Sequence, residues 1–506
     1  MPVDSAARHI LALDRRGALR GGMALAALAA LARSARGEDR LRENPFTLGV
    51  ASGEPRPDSL VLWTRLTGTT SPVPVTWEAA GDDRFTRILR RGEATAEADD
   101  GHSLHIELGG LAPASTYFYR FRTAGFLSPV GRTRTAPAPG SDATFRFANA
   151  GCQHFEHGHF TAWRHIAEAP LDTVFHYGDY IYEYRGLRPE DGGWAARSRI
   201  RMHEGGETLT LADYRARHAQ YRADPDLQAA HAAHPFIVSY DDHEVSNDWA
   251  GGAPPTAEFV LRRTAALKAW WEAMPLPRAM LDRPAYRRFR FGRQVAFHVL
   301  DTRGYRDAQP CGGRGRCDAI ERPDAQMLGP VQEAWLNDGL TAARDATWQV
   351  LAQQIPLMRR HLANGALSLD KWDGYPAARA RLLAALAERR IGGAVALSGD
   401  VHRALAATVH ADPDDAGSTA LATEFTATSV TSEGDGSDSA GRPVLLERNP
   451  HIQHFGARRG FTLHEAGARG FEASFRALPF VSRPGAPHVE EARFHVEPGQ
   501  PGLHRA

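Results

Sequence analysis

Five apolar runs in this chain end in residues that can hold a metal ion or a proton. Run 145–151 leads into Cys152, and run 173–178 leads into Asp179, with Tyr182 three residues on. Run 236–240 leads into Asp241, Asp242, His243 and Glu244, with Asn247 close behind. Run 294–300 leads into Asp301, Thr302 and Arg303, and run 394–399 into Asp400, Val401 and His402. Side chains at strand C-termini gather along one edge of a layered sheet, where active sites usually form. Solvated turns would not supply such chemistry five times over.

The donors sort into two sets. Cys152, Tyr182 and His402, joined by Asp179, offer a thiolate, a phenolate, an imidazole and a carboxylate. That set suits a strongly Lewis-acidic transition ion, iron or zinc. Asp242, Asn247 and Asp400, again with Asp179, offer only oxygen, which suits calcium, magnesium or manganese. Asp400 and His402 are two residues apart and share a face of an extended segment, so they can serve neighbouring ions. Asp179 is then the bridging carboxylate. Each residue also has a plain structural reading: Cys152 as a small buried hydrophobe, Asn247 as a turn residue, His402 as a cap.

The elements that must position these residues follow from pattern. Residues 45–136 read as short alternating strands broken by Gly, Pro, Asp and Ser, an all-β unit of sandwich size. Within it, residues 111–119 resemble the corner of a fibronectin III-like sandwich. The Pro- and Ala-rich stretch 135–141 is the linker. From Phe145, strands alternate with helical stretches at 211–222, 256–273, 330–343 and 376–390, the pattern of a layered α/β or α+β domain. Segments 185–207, 306–325 and 432–442 read as loops. The division expected is 38–140 for the sandwich, 141–490 for the large domain and 491–506 for a loose tail.

Residues 1–37 stand apart. Arg15-Arg16, a short apolar stretch from Met23 to Leu31 and Ala30-Leu31-Ala32 read as an export signal with a twin arginine. Lys and Arg total 60 and Asp and Glu total 60, so no global field points to nucleic acid. Three cysteines are too few for a disulfide scaffold.

The segments GDYIYEY, DDHE, DTRGYR, WDGYPAAR, LSGDVH and NPHIQHFGARRG, with GVASGEP and LWTRL ahead of them, resemble the PhoD-like alkaline phosphatases, a branch of the metallophosphoesterases. The resemblance spans roughly 44–465 in matching order. It implies a four-layer β-sandwich flanked by helices, preceded by a small all-β sandwich. It implies an enzyme exported through the Tat translocon to the periplasm or beyond, and hydrolysis of phosphate monoesters and diesters. It also implies a ferric ion (Fe3+) with calcium (Ca2+); Zn2+, Mg2+ and Mn2+ are the other metals that the donors admit. By motif position, Cys152, Asp179, Tyr182 and His402 match the iron ligands. Asp179, Asp242, Asn247 and Asp400 match the oxygen site, with the choice among Asp241, Asp242 and Asn247 open. Arg303 matches a phosphate-contacting arginine, and Asp370 or Asp373 could hold a further calcium. The expected chemistry is attack by metal-bound hydroxide between ions ~3.5–4 Å apart, with His243 serving the leaving oxygen.

Two features depart from the family pattern. Residues after Gly470 look β-like, which argues against a C-terminal helical lid. Cys311 and Cys317, in the segment CGGRGRC, read as a small-loop disulfide in an exported protein. A monomer is expected. A phospholipase D-like phosphodiesterase is the rival enzyme, and an envelope binding protein with a degenerate core is the rival of another class.

Overall fold

The computed structural model describes residues 41–193, 199–253, 255–313, 315, 317–437 and 442–505. The export signal expected at 1–37 lies outside them. Residues 50–134 form β1 (Val50–Gly53), β2 (Ser59–Arg65), β3 (Val73–Ala80), β4 (Ile88–Ala96), β5 (Ser103–Gly109), β6 (Thr116–Thr123), β7 (Phe126–Leu127) and β8 (Gly131–Arg134). In β6, Tyr117, Tyr119 and Phe121 alternate inward, the period-2 burial of a sheet with one face on a core. The resemblance at 111–119 has a physical basis, since the Tyr117 hydroxyl accepts a hydrogen bond from Ala112 N at 2.8 Å and pins the corner.

The larger part of the chain begins with β9 (Phe145–Ala150), α1 (Thr161–Glu168), β10 (Thr173–His176), α2 (Leu211–Arg222), α3 (Pro225–Ala233), β11 (Pro235–Val238) and α4 (Ala257–Ala273). Next come β12 (Arg287–Phe291), β13 (Val295–Val299), α5 (Gly329–Ala342), β14 (Trp348–Ala352), α6 (Pro376–Glu388), β15 (Ala394–Ser398), β16 (Ala404–His410) and β17 (Ala420–Thr426). It ends with α7 (Arg442–Arg448), β18 (Ile452–Gly456), β19 (Arg459–Gly467), β20 (Gly470–Leu478), β21 (Val489–Glu497) and β22 (Gln500–Arg505). Every strand and helix expected from pattern after Phe145 is present. Helix α3, which was not expected, carries an N-terminal signal of its own: Asp224 caps it and Pro225 opens it.

Two large sheets stack. One runs β22-β21-β20-β19-β9-β10-β11-β1-β2-β5 and the other β12-β13-β14-β15-β17-β16-β18. Between them Phe147, Phe175, Ile237, Phe297, Val350, Val395 and Phe425 form a dry core. Trp163, Tyr214, Leu227 and Trp270 of α1–α4 cover the outer face of the first sheet, against Val174 and Phe236. Leu336 and Leu340 of α5 and Leu382 and Leu386 of α6 cover the second, against Leu351 and Ala396. The result is the expected four layers, helix–sheet–sheet–helix. In each sheet a parallel trio, β9-β10-β11 and β13-β14-β15, points its C-terminal ends the same way.

The boundary near residue 140 divides the sequence but not the sheet. Strand β1 pairs in parallel with β11, Ser52 against Pro235 and Gly53 against Phe236, so β1, β2 and β5 extend the first large sheet. Gly53 is needed for this approach, because a Cβ there would lie 2.5 Å from Pro275 O. Glu54, at φ 55°, then turns its carboxylate to Arg287 of β12, 2.9 Å from Nε, in a buried ion pair to the second sheet. The C-terminal tail expected at 491–506 is a correction. Residues 489–505 form β21 and β22 and close the first sheet, because Ala492, Phe494, Val496 and Leu503 are buried in its core. Among the described residues no helix follows α7, in keeping with the expected lack of a helical lid.

Candidate metal centre

The strand ends of both sheets converge. Cys152 follows β9, Asp179 follows β10, Asp241 and Asp242 follow β11, and Asp400 and His402 follow β15. Cys152, Asp179, Asp400 and His402 have φ of 50°, 54°, 65° and 53°. Left-handed backbone is uncommon outside glycine, and such strain, about 1–3 kcal/mol each, persists only where the surroundings impose it. Gly178 (φ 130°) lets the acidic loops touch, since a Cβ there would fall 2.5 Å from Asp241 N. Glu244 then ties these loops together: Oε2 accepts from Asp179 N at 3.1 Å and Asp241 N at 2.8 Å, and Oε1 from Tyr180 N at 2.7 Å.

Ligand atoms of Cys152, Asp179 and His402 lie within 4.8 Å of one another. Tyr182 joins them, its hydroxyl donating to Asp179 Oδ2 at 2.9 Å and lying 3.4 Å from His402 Nε2. Ser432 Oγ, 2.6 Å from the same hydroxyl and 2.8 Å from Cys152 O, steadies this side. Asp241, Asp242 and Asp400 form a second such group, and Asp179, Asp242 and His243 a third, so Asp179 stands in two of the groups. Both Asp241 and Asp242 are therefore brought in. Asn247 is exposed; its Oδ1 accepts from Tyr184 OH at 3.1 Å and its backbone N donates to Glu183 Oε1 at 2.8 Å.

Burial pushes Asp179 well above the usual carboxylate range, and the charges of Asp242, Glu244 and Asp400 add to it. Burial and neighbouring carboxylates likewise push up the Cys152 thiol, and burial with Asp179 and Cys152 pushes up the Tyr182 phenol. Asp179 Oδ1 and Asp241 Oδ2 are buried with no hydrogen-bond partner among the described residues. Packed acids with orphaned oxygens are costly unless a cation compensates them. The donor set therefore fits bound metal ions, a transition ion on the Cys152 side and a harder ion on the carboxylate side.

The cations of the chain itself are arranged around the same acids. Arg303 is fully buried, with Nε on Asp241, Nη1 3.0 Å from both Asp370 oxygens, and Nη2 3.2 Å from Asp400 and 3.4 Å from Asp242. The fork expected to grip phosphate thus has a carboxylate at every nitrogen. Lys371 reaches Asp370 Oδ2 at 2.8 Å and also Asp400 Oδ2. Asp370 and Asp373, matched to a further calcium, are engaged by groups of the chain itself. Asp370 is taken by Arg303, Arg306, Lys371 and Gln309, and Asp373 by Arg379 at 2.8 Å and by Arg360 N at 3.0 Å.

His243 presents its Nδ1 to Glu183 Oε2 at 2.7 Å. Burial opposes its charge, yet Asp242, Asp179 and Glu183 together hold it well above the ordinary histidine value. Glu433 lies 3.4 Å from His402 Nδ1. Sequence reading missed Glu183, Lys371, Ser432 and Glu433 as members of the site. Glu183 sat within GDYIYEY and Lys371 directly before WDGYPAAR, so proximity to a motif was the signal available.

A two-sheet, four-layer fold with groups that could hold metal ions at its strand ends is the arrangement of a metallophosphoesterase. Comparison with known proteins carries this to a family. The model of the PhoD-like phosphatases matches residues 147–475, and that of their N-terminal domain matches 30–137. Alkaline phosphatase D of Bacillus subtilis (strain 168) is 43% identical over 485 residues, covering 91% of this chain and 82% of that protein. A solved structure of PhoD superposes with a TM-score of 0.87 at 42% identity, covering 92% of this chain and 93% of the other. The purple acid phosphatase PPD1 from yellow lupin (Lupinus luteus) seeds superposes at 0.56 with 12% identity, covering 88% of this chain and 74% of the other, and shares the fold. The chain belongs to the PhoD-like phosphatase family and is a phosphoric ester hydrolase.

Proposed function

We propose that this phosphatase is an exported enzyme whose site holds two cations bridged by Asp179 and hydrolyses phosphate monoesters and diesters. The observation that carries the reading is the place of Asp179 in two donor groups, beside Cys152 and His402 in one and beside Asp242 in the other. Cys152, Asp179, Tyr182 and His402 would hold a ferric ion. Asp179, Asp242 and Asp400 would hold calcium, with Asn247 entering only if its loop turns its side chain inward. Zinc, magnesium and manganese are the alternatives. Bound there, such ions acidify water and stabilise charge on the phosphoryl oxygens.

The chain's own residues do the rest. Ser432, with its Oγ 2.6 Å from the Tyr182 oxygen and 2.8 Å from Cys152 O, would hold both of those ligands in place. His243, held at Nδ1 by Glu183, is the side chain that would serve the leaving alcohol oxygen from Nε2. A cavity of about 690 Å³ beside His402, lined by His157, Arg403, Glu433 and Arg459, offers room for that alcohol. Export is supported by Arg15-Arg16 and by the Cys311–Cys317 disulfide, a bond suited to an oxidising compartment.

The test is elemental analysis of protein exported by its native route, coupled to monoester and diester assays. Two metals per chain with hydrolysis of either ester supports the reading. A metal-free, inactive chain favours the binding-protein alternative, and activity restricted to phospholipid diesters favours the phospholipase D-like one. Replacing Arg15 and Arg16 by lysine should leave the enzyme in the cytoplasm, and unaffected export would remove the Tat route.

A further inference from the structure

We infer that Lys371, rather than Arg303, is the cation that meets the phosphoryl group of the substrate. The inference rests on the phosphoesterase site proposed above and adds to it a residue that touches substrate. A guanidinium has five N–H groups, and the contacts of Arg303 engage all three of its nitrogens: Asp241 at Nε, both oxygens of Asp370 at Nη1, and Asp400 with Asp242 at Nη2. Its side chain is 0% exposed, and even with a cation drawing Asp242 and Asp400 off Nη2 its Nε and Nη1 stay on Asp241 and Asp370. Arg303 is a counter-charge that holds the four acids in place.

Lys371 sits against the less buried of the same acids. Its side chain is 11% exposed, and its partners Asp370 and Asp400 are 11% and 8% exposed, against 0% for Asp241 and 4% for Asp242. An ammonium has three N–H donors. Lys371 donates to Asp370 Oδ2 and lies against Asp400 Oδ2 in an ion pair, which leaves ammonium hydrogens for a ligand oxygen. Asp370 is a rigid post, held by Arg303 Nη1 at 3.0 Å and Gln309 Nε2 at 2.8 Å and also by Arg306. A cation on Asp400 would compete with Lys371 for that carboxylate and leave the ammonium anchored on Asp370, beside the ion. A phosphate entering among so many acids needs such a positive charge beside them.

The experiment uses the metal-loaded enzyme and reads the inhibition constant of inorganic phosphate, the KM for an aryl phosphate, and metal content. Lys371→Met should raise the phosphate constant about 10- to 100-fold, the worth of one charge-assisted hydrogen bond, at wild-type metal content. Lys371→Arg should recover part of the loss. A Met variant with full metal content and an unchanged phosphate constant overturns the inference. So does a variant that loses metal while its loaded fraction binds phosphate normally, since Lys371 would then serve only the acids. Should the Met variant not fold, Lys371→Arg decides, because a displaced charge must shift the phosphate constant several-fold and an unshifted one overturns the inference. An inactive wild type would instead sink the phosphoesterase reading, so the two failures are distinguishable.

Discussion

Replacing Asp179 by asparagine removes one negative charge from the point where the two donor groups meet. In the wild type, each cation held at 100 times its dissociation constant stabilises the fold by about 2.7 kcal/mol, so two give about 5 kcal/mol. Loss of the shared carboxylate weakens both sites. If each affinity falls ~100-fold, the stabilisation left is below about 1 kcal/mol in total. At about 2 cal/mol/K of unfolding entropy per residue, a chain of 506 residues shifts by about 1 °C per kcal/mol. The metal-induced rise in Tm should therefore shrink by ~4–5 °C in the variant. The metal-free proteins should behave in the opposite way. Burial raises the carboxyl of Asp179, so its charge is unfavourable without a cation, and metal-free Asp179→Asn should be at least as stable as metal-free wild type. Turnover should fall by about 10²-fold or more, as when a preorganised electrostatic group is lost. Calorimetry with and without metal, elemental analysis and steady-state assays read all three. Asp241→Asn is the control, since it touches only the carboxylate-rich group. Wild-type turnover in Asp179→Asn, or an undiminished metal-induced rise in Tm, refutes the bridging role.

A phenolate or thiolate on a ferric ion gives a visible charge-transfer band; it should shift or weaken in Tyr182→Phe, and Cys152→Ser should lose much of the metal. A colourless, fully active enzyme containing only zinc would remove the iron. The Cys311–Cys317 ring closes just after Gln309, which holds Asp370 at 2.8 Å. Cys311→Ser/Cys317→Ser should therefore raise KM while costing at most about 2 kcal/mol of stability, and an unchanged KM would detach the loop from the site. Burial lowers His464 to about 3, with its Nε2 2.7 Å from Asn149 Oδ1. Its neutral form supports folding fully above the unfolded value, and that support is lost as pH falls from ~6.5 toward ~3, by about 1.4 kcal/mol per unit. Denaturant unfolding from pH 7 to 4 should show the wild-type advantage over His464→Gln shrinking at that rate, and a pH-independent difference would refute it.

The sequence by itself determined the ladder of elements and the donors at their ends. Alternation and helical period follow from local chemistry, which is why β9, β10, β11, β13, β14, β15 and β17 and helices α2, α4, α5 and α6 were legible, and with them the candidate donors Cys152, Asp179, Tyr182, Asp242, Asp400 and His402 at strand ends. What it could not reach depends on contacts between distant segments. Strands β21 and β22 look like a strand and a tail until the sheet offers them an edge. Asn247 and Asp242 are equally good oxygen donors on paper, and only the turn of the loop exposes the first and buries the second. Arg303 follows its strand as a phosphate fork would. Only the tertiary structure surrounds it with Asp241, Asp242, Asp370 and Asp400 and sets the less buried Lys371 against Asp370 and Asp400, because the partners of a buried charge are chosen by the whole fold and not by its neighbours in sequence.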